Sequence, residues 1–459
     1  MKIDTPIGVR SRRGLVCVLV ALVWTTGGVS FSEAQEPDPD ARHRVPADFM
    51  RYQGARWLER DERVQEEQPE VVLEAMGLEP GDVVADIGCG SGYYARRMAG
   101  RVAPGGSVYC VDIQPEMLKI MQDLADRDGV TGIVPVLSEV DDPKLPDGEV
   151  DWIILADVYH EMSDFEAMLA GMRVSLAPGG RVALLEYRIE DGTGDNLKAD
   201  HAMSVRQVLS EWLPAGFALV ELHEFLPGQH LFIMKVAGDS EVFGDPIINL
   251  DLVDALDQGL VEAEAVGAGD ASVTVRIRNL GSDKLVVTMP VGVSFEAPEG
   301  RRDMVSRRDA AIRLFDQEWH DWAVRSVWRQ DDRRPAGADD RFTIGLPTSL
   351  PVLHGLTYVM QIGTYRVADS PLLYIPRINS VEQAAAWIAE LDPRYGDIES
   401  AVQGERMPAH YVIAFALVYC DLAGIDIAAT RIWQDRERVF SALRDPGLSA
   451  WYQMKIAGR

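Results

Sequence analysis

The periodicity of apolar and polar positions changes along this chain, and the change divides it into two regions. Between residues 49 and 237, short apolar runs alternate with longer stretches of helical periodicity. This alternation predicts an α/β fold with a doubly wound, mostly parallel seven-stranded sheet. The predicted strands cover 83–87, 108–112, 133–137, 150–156, 182–186, 218–224 and 230–236. The last two are joined by only a few turn-forming residues, so they should pair antiparallel as a hairpin.

In the second half, apolar and polar residues alternate with a period of two. Residues 271–279 alternate strictly, and further strands are predicted at 285–289, 293–295, 310–315, 341–344 and 358–362. The pattern predicts a small β-sandwich over 265–365. From Ser380 the periodicity becomes helical, which predicts a helical C-terminal segment over 378–459. We recognise no catalytic pattern in either region and expect an accessory module for binding or for homodimer formation.

The first 34 residues have the pattern of an export signal. Three arginines, at positions 10, 12 and 13, precede an apolar run over 15–24, and small residues occupy 32 and 34 before a proline-rich linker over 35–48. The arginine pair also resembles a twin-arginine signal, the alternative to an ordinary secretory signal. The apolar run is short for a membrane span. We therefore expect an exported, periplasmic protein without an integral membrane span in its mature chain. If residues 1–34 are not cleaved, it would be cytoplasmic or membrane-anchored.

Charge and cysteine content narrow the classes of partner. The formal net charge of −27 disfavours nucleic acid as a partner. Beyond Cys17 in the predicted signal, the chain has Cys89, Cys110 and Cys420. We interpret these as packing thiols. Cys89 and Cys110 would lie on neighbouring strands, so a pair between them stays open.

A glycine-rich turn follows the first predicted strand. It reads Asp86-Ile87-Gly88-Cys89-Gly90-Ser91-Gly92 and leads into a predicted helix. Such a turn brings the backbone and a helix N-terminus close to a ligand. A dinucleotide-binding turn would need glycine where Tyr93 stands. The turn could also bind no ligand and simply join the strand to the helix.

The pattern Asp-x-Gly-x-Gly-x-Gly resembles the first motif of the class I S-adenosylmethionine (SAM) methyltransferases. Asp112, 24 residues past Gly88 at the end of the second strand, and the terminal hairpin agree with that family. The closest resemblance is to the ubiquinone/menaquinone-biosynthesis type. It implies SAM as the cofactor, with Asp112 binding the ribose, Ile113 and Glu139 near the adenine, and Asp86 and Asp157 toward the methionine end. The implied cofactor-binding residues are Asp86, Gly88, Cys89, Gly90, Gly92, Asp112, Ile113, Glu139 and Asp157.

Polar residues also follow the later strands, at the edge where the acceptor would bind. We predict His160, Glu161 and His201 as catalytic candidates, with His160 as a general base because histidine is the side chain that ordinarily exchanges protons near neutral pH. Arg188 could grip a carboxylate. Alternatively, Glu186, Arg188 and His201 form a structural ion cluster. No ligand spacing of the H-x-x-x-H kind occurs, so the sequence predicts no metal site.

Two functions are compatible with these features. The first is a SAM-dependent methyltransferase acting on a small-molecule acceptor of the phenol, quinone or amine type. The second is an exported, non-catalytic binding or sensing protein with a methyltransferase-derived nucleoside pocket. The choice between them is open because two predictions conflict. SAM is made in the cytoplasm, whereas residues 1–34 predict export.

Overall fold

The structure is a computed structural model. It describes residues 46–190, 201–238, 247–268, 271–329, 336–337, 340–347, 351–362, 379–402 and 407–457. The predicted signal and nearly all of the predicted linker lie outside these residues.

The first half forms one mixed sheet flanked by helices. Its strands are β1 (Val83–Ile87), β2 (Ser107–Asp112), β3 (Ile133–Leu137), β4 (Val150–Ala156), β5 (Leu176–Arg188), β6 (Ala202–Met203), β7 (Phe217–His223) and β8 (Gln229–Val236). Its helices are α1 (Ala55–Leu58), α2 (Arg63–Glu67), α3 (Pro69–Met76), α4 (Tyr93–Val102), α5 (Pro115–Asp128), α6 (Phe165–Ser175) and α7 (Val205–Trp212).

The strand order is β3-β2-β1-β4-β5-β8-β7, with the two-residue β6 beside β5. Strands β1 to β5 pair in parallel, whereas β8 is antiparallel to both β5 and β7. This arrangement confirms the mostly parallel sheet closed by a hairpin. β6 raises the count from the predicted seven strands to eight.

The central strands are buried on both faces because helices cover the sheet on either side. Neighbouring residues of one strand enter different cores: Ile153 and Leu155 pack on one side of the sheet, and Trp152 and Ile154 on the other. This burial explains why these strands are continuous apolar runs rather than alternating ones. The carboxyl ends of β1, β2, β4 and β5 therefore meet at one edge.

A disulfide lies at this edge. Cys89 follows β1 and Cys110 lies within β2, and the two sulfurs are bonded. The interpretation of both as packing thiols was wrong, since the parallel pairing of β1 with β2 brings their Cα atoms to 5.5 Å. Cys420 is a buried free thiol.

A barrel and a small sheet follow the first unit. The strands are β9 (Ile248–Asp251), β10 (Val261–Gly267), β11 (Ser272–Asn279), β12 (Leu285–Met289), β13 (Val293–Glu296), β14 (Met304–Ser306), β15 (Ala310–Leu314), β16 (His320–Trp328) and β17 (Arg341–Pro347), with helix α8 (Leu252–Asp257) between β9 and β10. Strands β10-β11-β16-β14-β13-β17 close on themselves, and β15-β12-β9 form a separate sheet.

The predicted sandwich was therefore wrong. β17 pairs with both β10 and β13, which closes a barrel instead of leaving two stacked sheets. The strand predicted at 358–362 was also wrong, because these residues lie in a helix over 351–362 whose Leu356, Val359 and Met360 pack into the core of the C-terminal helices. A short apolar run does not distinguish the two structures by itself.

The C-terminal helices are α9 (Pro351–Ile362), α10 (Asn379–Leu391), α11 (Tyr395–Val402), α12 (Ala409–Leu422), α13 (Arg431–Gln434), α14 (Arg436–Phe440) and α15 (Pro446–Ile456). α12 is buried over most of its surface, which accounts for its unbroken apolar sequence. None of the helices in the described ranges combines the length and the apolar character that crossing a membrane requires.

The first unit contacts the small sheet. The N-cap Ser204 of α7 accepts from the amide of Gln207, as in a capped helix, and donates its hydroxyl to Asp309 at 2.8 Å. Arg313 of β15 donates to the carbonyl of Leu222 in β7.

Candidate functional site

The glycine turn forms a tight bend between β1 and α4. Gly88, Gly90 and Gly92 have φ angles of +72°, +51° and +78°, which residues with a side chain rarely adopt. A Cβ on Gly88 would lie 2.3 Å from Val158 and a Cβ on Gly92 would lie 2.4 Å from Met121. The turn needs glycine at both positions for conformation and for space.

Two buried carboxylates brace this turn. Asp112 at the end of β2 accepts from the amides of Gly90 at 3.0 Å and Gln114 at 2.8 Å. Asp86 accepts from the amide of Ala95 in the first turn of α4 at 2.9 Å. Burial raises the pKa of Asp86 to about 7, although the hydrogen bond from the Ala95 amide acts in the opposite direction. Burial likewise raises the pKa of Asp112, and its amide donors oppose this shift.

Asp112 keeps unused acceptor capacity. A carboxylate offers about four lone-pair sites, and backbone amides occupy one on each oxygen of Asp112. The remaining sites suit two vicinal hydroxyls, which is the group that a ribose presents. Ile113, which follows it, is 39% exposed and offers an apolar surface at the same edge.

A second polar group surrounds the end of β4. Asp157 adopts a left-handed φ of +53° and accepts two hydrogen bonds from Nε2 of Gln229, at 2.9 and 2.7 Å. Burial raises the pKa of Asp157 well above its usual range, and the Glu67 carboxylate adds to this effect. Arg63 faces the same group, donating to Glu67 at 2.7 Å.

Several buried polar atoms in this group have no hydrogen-bond partner among the described residues. They are Oε1 of Gln229, the hydroxyl of Tyr94 and Oε2 of Glu67. Buried polar atoms are nearly always paired in folded proteins, so an unpaired set of donors and acceptors points to a polar ligand. The amino and carboxylate groups of a methionine moiety have the required chemistry.

The N-terminal segment covers this edge. The amide of Ala47 donates to the carbonyl of His160 at 3.0 Å. Gln114 accepts from the amide of Tyr52 and donates to the carbonyl of Met50, both at 2.9 Å. Glu59 accepts from Ser91 within the glycine turn at 2.6 Å. Residues 46–67 thus lie across the turn and both carboxylates.

The three predicted catalytic residues meet beside this cover. His160 and Glu161 lie on a short 3₁₀ turn after β4, and His201 lies just before β6. The ring centroids of His160 and His201 are 5.0 Å apart. One side-chain ligand atom from each of the three residues lies within 4.8 Å of the others. The fold therefore assembles a cluster from positions 41 residues apart in the sequence.

Glu186 orients His160. Its carboxylate contacts Nδ1 of His160 at 2.6 Å and accepts from the His160 amide at 3.2 Å. Both side chains are buried. Nε2 of His160 has no hydrogen-bond partner among the described residues. Burial raises the pKa of Glu161 to about 8, against the Met50 amide, which lowers it.

Other predicted residues lie apart from the cluster. Glu139 is exposed and pairs with Lys144 at 3.2 Å. Arg188 bonds to Glu224 at 2.9 Å and to nearby carbonyl groups, so it is part of an internal network. The alternative ion cluster of Glu186, Arg188 and His201 was wrong in its partners, because Glu186 contacts His160 whereas Arg188 contacts Glu224.

His230 belongs to the same network as Arg188. Its two ring nitrogens contact Glu224 at 2.8 Å and Glu190 at 2.9 Å. Burial lowers the pKa of His230, but the two carboxylates outweigh it and raise the value to about 10. This histidine is therefore a buried, charged structural group.

The sequence analysis missed several residues of the site. Arg63 and Glu67 are spaced i,i+4 on a charged helix. Such a pair is typical of a solvent-exposed helix surface, but both of these side chains are buried. Gln114 carries no charge and belongs to no motif. Its only sequence signal is its position, two residues after the end of β2.

Comparisons with known proteins agree with this geometry. Residues 84–180 match the family model described as a methyltransferase domain. A ubiquinone/menaquinone biosynthesis C-methyltransferase from Cupriavidus taiwanensis is 35% identical over 112 residues, which are 24% of this chain and 45% of that protein. One of the same description from Ectopseudomonas mendocina is 34% identical over 116 residues, 25% of this chain and 45% of that protein.

The chain thus spans less than half the length of these curated relatives. A solved SAM-dependent methyltransferase from Aquifex aeolicus is 23% identical, with a TM-score of 0.39, and the match covers 41% of this chain and 100% of that one. The unit that contains residues 84–180 is a methyltransferase domain of the class I, SAM-dependent type.

Proposed function

We propose that the protein is an enzyme that transfers the methyl group of SAM to a small-molecule acceptor. The observation that carries this proposal is the carboxylate of Asp112, held by the Gly90 amide at the edge of the glycine turn with two acceptor sites left. The unpaired polar atoms of Tyr94, Gln229 and Glu67 support it at the methionine end. When bound, SAM supplies a methyl group on a positively charged sulfur.

The protein's own part in the reaction is to position the reactants and exclude water. Asp112 and the glycine turn would hold the nucleoside, while Asp157 and Gln229 lie at the methionine end. Residues 46–67 cover the edge and would keep water from the reacting atoms. Methyl transfer needs an in-line approach to an already good leaving group, so positioning supplies most of the rate.

The acceptor would lie against His160, Glu161 and His201. His160 and Glu161 follow β4 a few residues after Asp157, and His201 lies just before β6. The names of the curated relatives favour a quinone-type ring as acceptor. A phenol or an amine is also compatible with a buried histidine oriented by a carboxylate.

Titration calorimetry combined with a transfer assay tests the proposal. The full chain should bind SAM and its demethylated product, S-adenosylhomocysteine, while NAD should give no heat, because Tyr93 stands where a dinucleotide turn needs glycine. Methyl-labelled SAM should then label one of a set of phenols, quinone precursors and amines. Absence of SAM binding would refute the proposal. Binding without transfer to any acceptor would favour the exported binding protein instead.

We also propose that the protein is exported. The supporting observation is the Cys89–Cys110 disulfide, because disulfides persist mainly in oxidising compartments. Mass spectrometry of the protein recovered from its native host is expected to show a mature chain that begins at Gln35, with this disulfide intact. The same chain made without residues 1–34 in a reducing cytosol provides the reduced reference. An intact Met1 with two free thiols at 89 and 110 would contradict export.

A further inference from the structure

We propose that His160, Glu161 and His201 form a binding site for a divalent transition-metal ion. Neither the family model nor the names of the relatives assign a metal to this chain. The binding site itself depends only on these three side chains. Its role in methyl transfer, described below, rests on the proposed function.

The geometry suits a three-ligand site. One imidazole nitrogen from each histidine and one oxygen of Glu161 lie within 4.8 Å of one another. Ligand atoms bonded to one Zn²⁺ at about 2.0–2.1 Å lie roughly 3.4 Å apart. Small side-chain rotations would therefore close the site. Glu161 and His201 are only partly buried, so an ion can enter.

His160 is preorganised as a ligand. Its Nδ1 contacts Glu186 at 2.6 Å, and a carboxylate there favours the tautomer with the proton on Nδ1. Nε2 then carries the lone pair, and it is buried without a partner among the described residues. A carboxylate–histidine–metal arrangement has this pattern, in which the outer carboxylate fixes the ring and raises its basicity.

A purely structural His160–Glu186 pair explains less. It satisfies Nδ1 but leaves the buried Nε2 without a partner among the described residues, which is unfavourable. It also gives no reason for ligand atoms of Glu161 and His201 to lie within 4.8 Å of a ring nitrogen of His160.

The donor set selects the class of ion. Two imidazole nitrogens and one carboxylate oxygen suit Zn²⁺, Fe²⁺ or Mn²⁺ better than Ca²⁺ or Mg²⁺, which prefer all-oxygen sites. Three protein ligands leave open positions for an oxygen of the acceptor. The corresponding acceptor class is a phenol or another acidic hydroxyl compound. Its hydroxyl proton goes to water, its oxygen bonds the methyl carbon, and sulfur keeps the electron pair of the bond that breaks.

Zinc binding to the full chain, measured without SAM, tests the site. Metal-free protein titrated with ZnCl₂ is expected to bind one ion, and Co²⁺ should give a visible absorption band. His201→Ala should weaken Zn²⁺ binding at least about 100-fold, because one of three ligands is lost. Glu186→Gln should weaken it about 10–100-fold through loss of the outer carboxylate. His320→Ala is the matched control, since His320 is partly exposed in the barrel and pairs with Asp316.

The outcomes separate the site from the proposed function. Wild-type protein that binds no stoichiometric Zn²⁺, or His201→Ala protein that binds as the wild type does, would overturn the site. Chelation should abolish methyl transfer to phenols and leave SAM affinity unchanged. Transfer that persists at full rate after chelation would overturn the metal's role in the reaction. Failure to bind SAM, with Zn²⁺ still bound, would refute the proposed function alone.

Discussion

Replacing Asp112 with alanine is expected to weaken the affinity for SAM at least about 100-fold. Two hydrogen bonds from ribose hydroxyls to a carboxylate contribute about 1.5–3 kcal/mol each, and 1.4 kcal/mol corresponds to a factor of ten. The Gly90 amide also loses its acceptor, so the turn loses one of the bonds that hold its shape. Both effects act on binding of the nucleoside.

Calorimetry with SAM on folded protein checks this result. Asp112→Asn serves as a second variant, because it keeps the volume of the side chain and one oxygen for a backbone amide. Asp123→Ala is the matched control: Asp123 lies on α5, its side chain is 62% exposed, and it pairs with Lys119. Asp112→Ala protein that folds normally and binds SAM as tightly as the wild type would place the nucleoside elsewhere.

The sequence was sufficient for the sheet and the glycine turn because both depend on local patterns. A central parallel strand must be apolar throughout, and a positive φ selects glycine. The position of Asp112 beside the glycine turn was predictable from its place at the end of the second strand. From the sequence, the disulfide could be named only as one alternative, because its formation depends on the register of β1 against β2.

The partners of polar side chains were less accessible. The sequence places Glu186 and Arg188 two residues apart in one strand, yet the first contacts His160 and the second contacts Glu224. Residues two apart along a strand share a face, and only the neighbouring loops decide which group each one meets. The barrel was missed for a related reason, since its closure depends on β17 pairing with two strands distant in sequence.

A buried ion triad joins the barrel to the C-terminal helices. Glu382 of α10 lies between Arg307 and Arg308, which follow β14, and contacts a guanidinium with each carboxylate oxygen. The three side chains are at most 4% exposed. Arg308 also donates to the carbonyl of Met360 in α9 at 2.7 Å. The Glu382 carboxylate therefore pairs with two guanidinium groups that are withdrawn from water where three elements meet.

Glu382→Gln is expected to destabilise the docking of α10 by about 3–5 kcal/mol, because removing one partner of a buried ion pair leaves uncompensated charge. Hydrogen exchange of the α10 peptide in the intact protein should then accelerate at least about 100-fold, since 1.4 kcal/mol corresponds to a factor of ten. Glu399→Gln is the control, because its pair with Arg438 is roughly half exposed and should contribute at most about 1 kcal/mol. Equal exchange of the α10 peptide in the two variants would mean that solvent reaches the triad and that apolar packing alone holds the helices to the barrel.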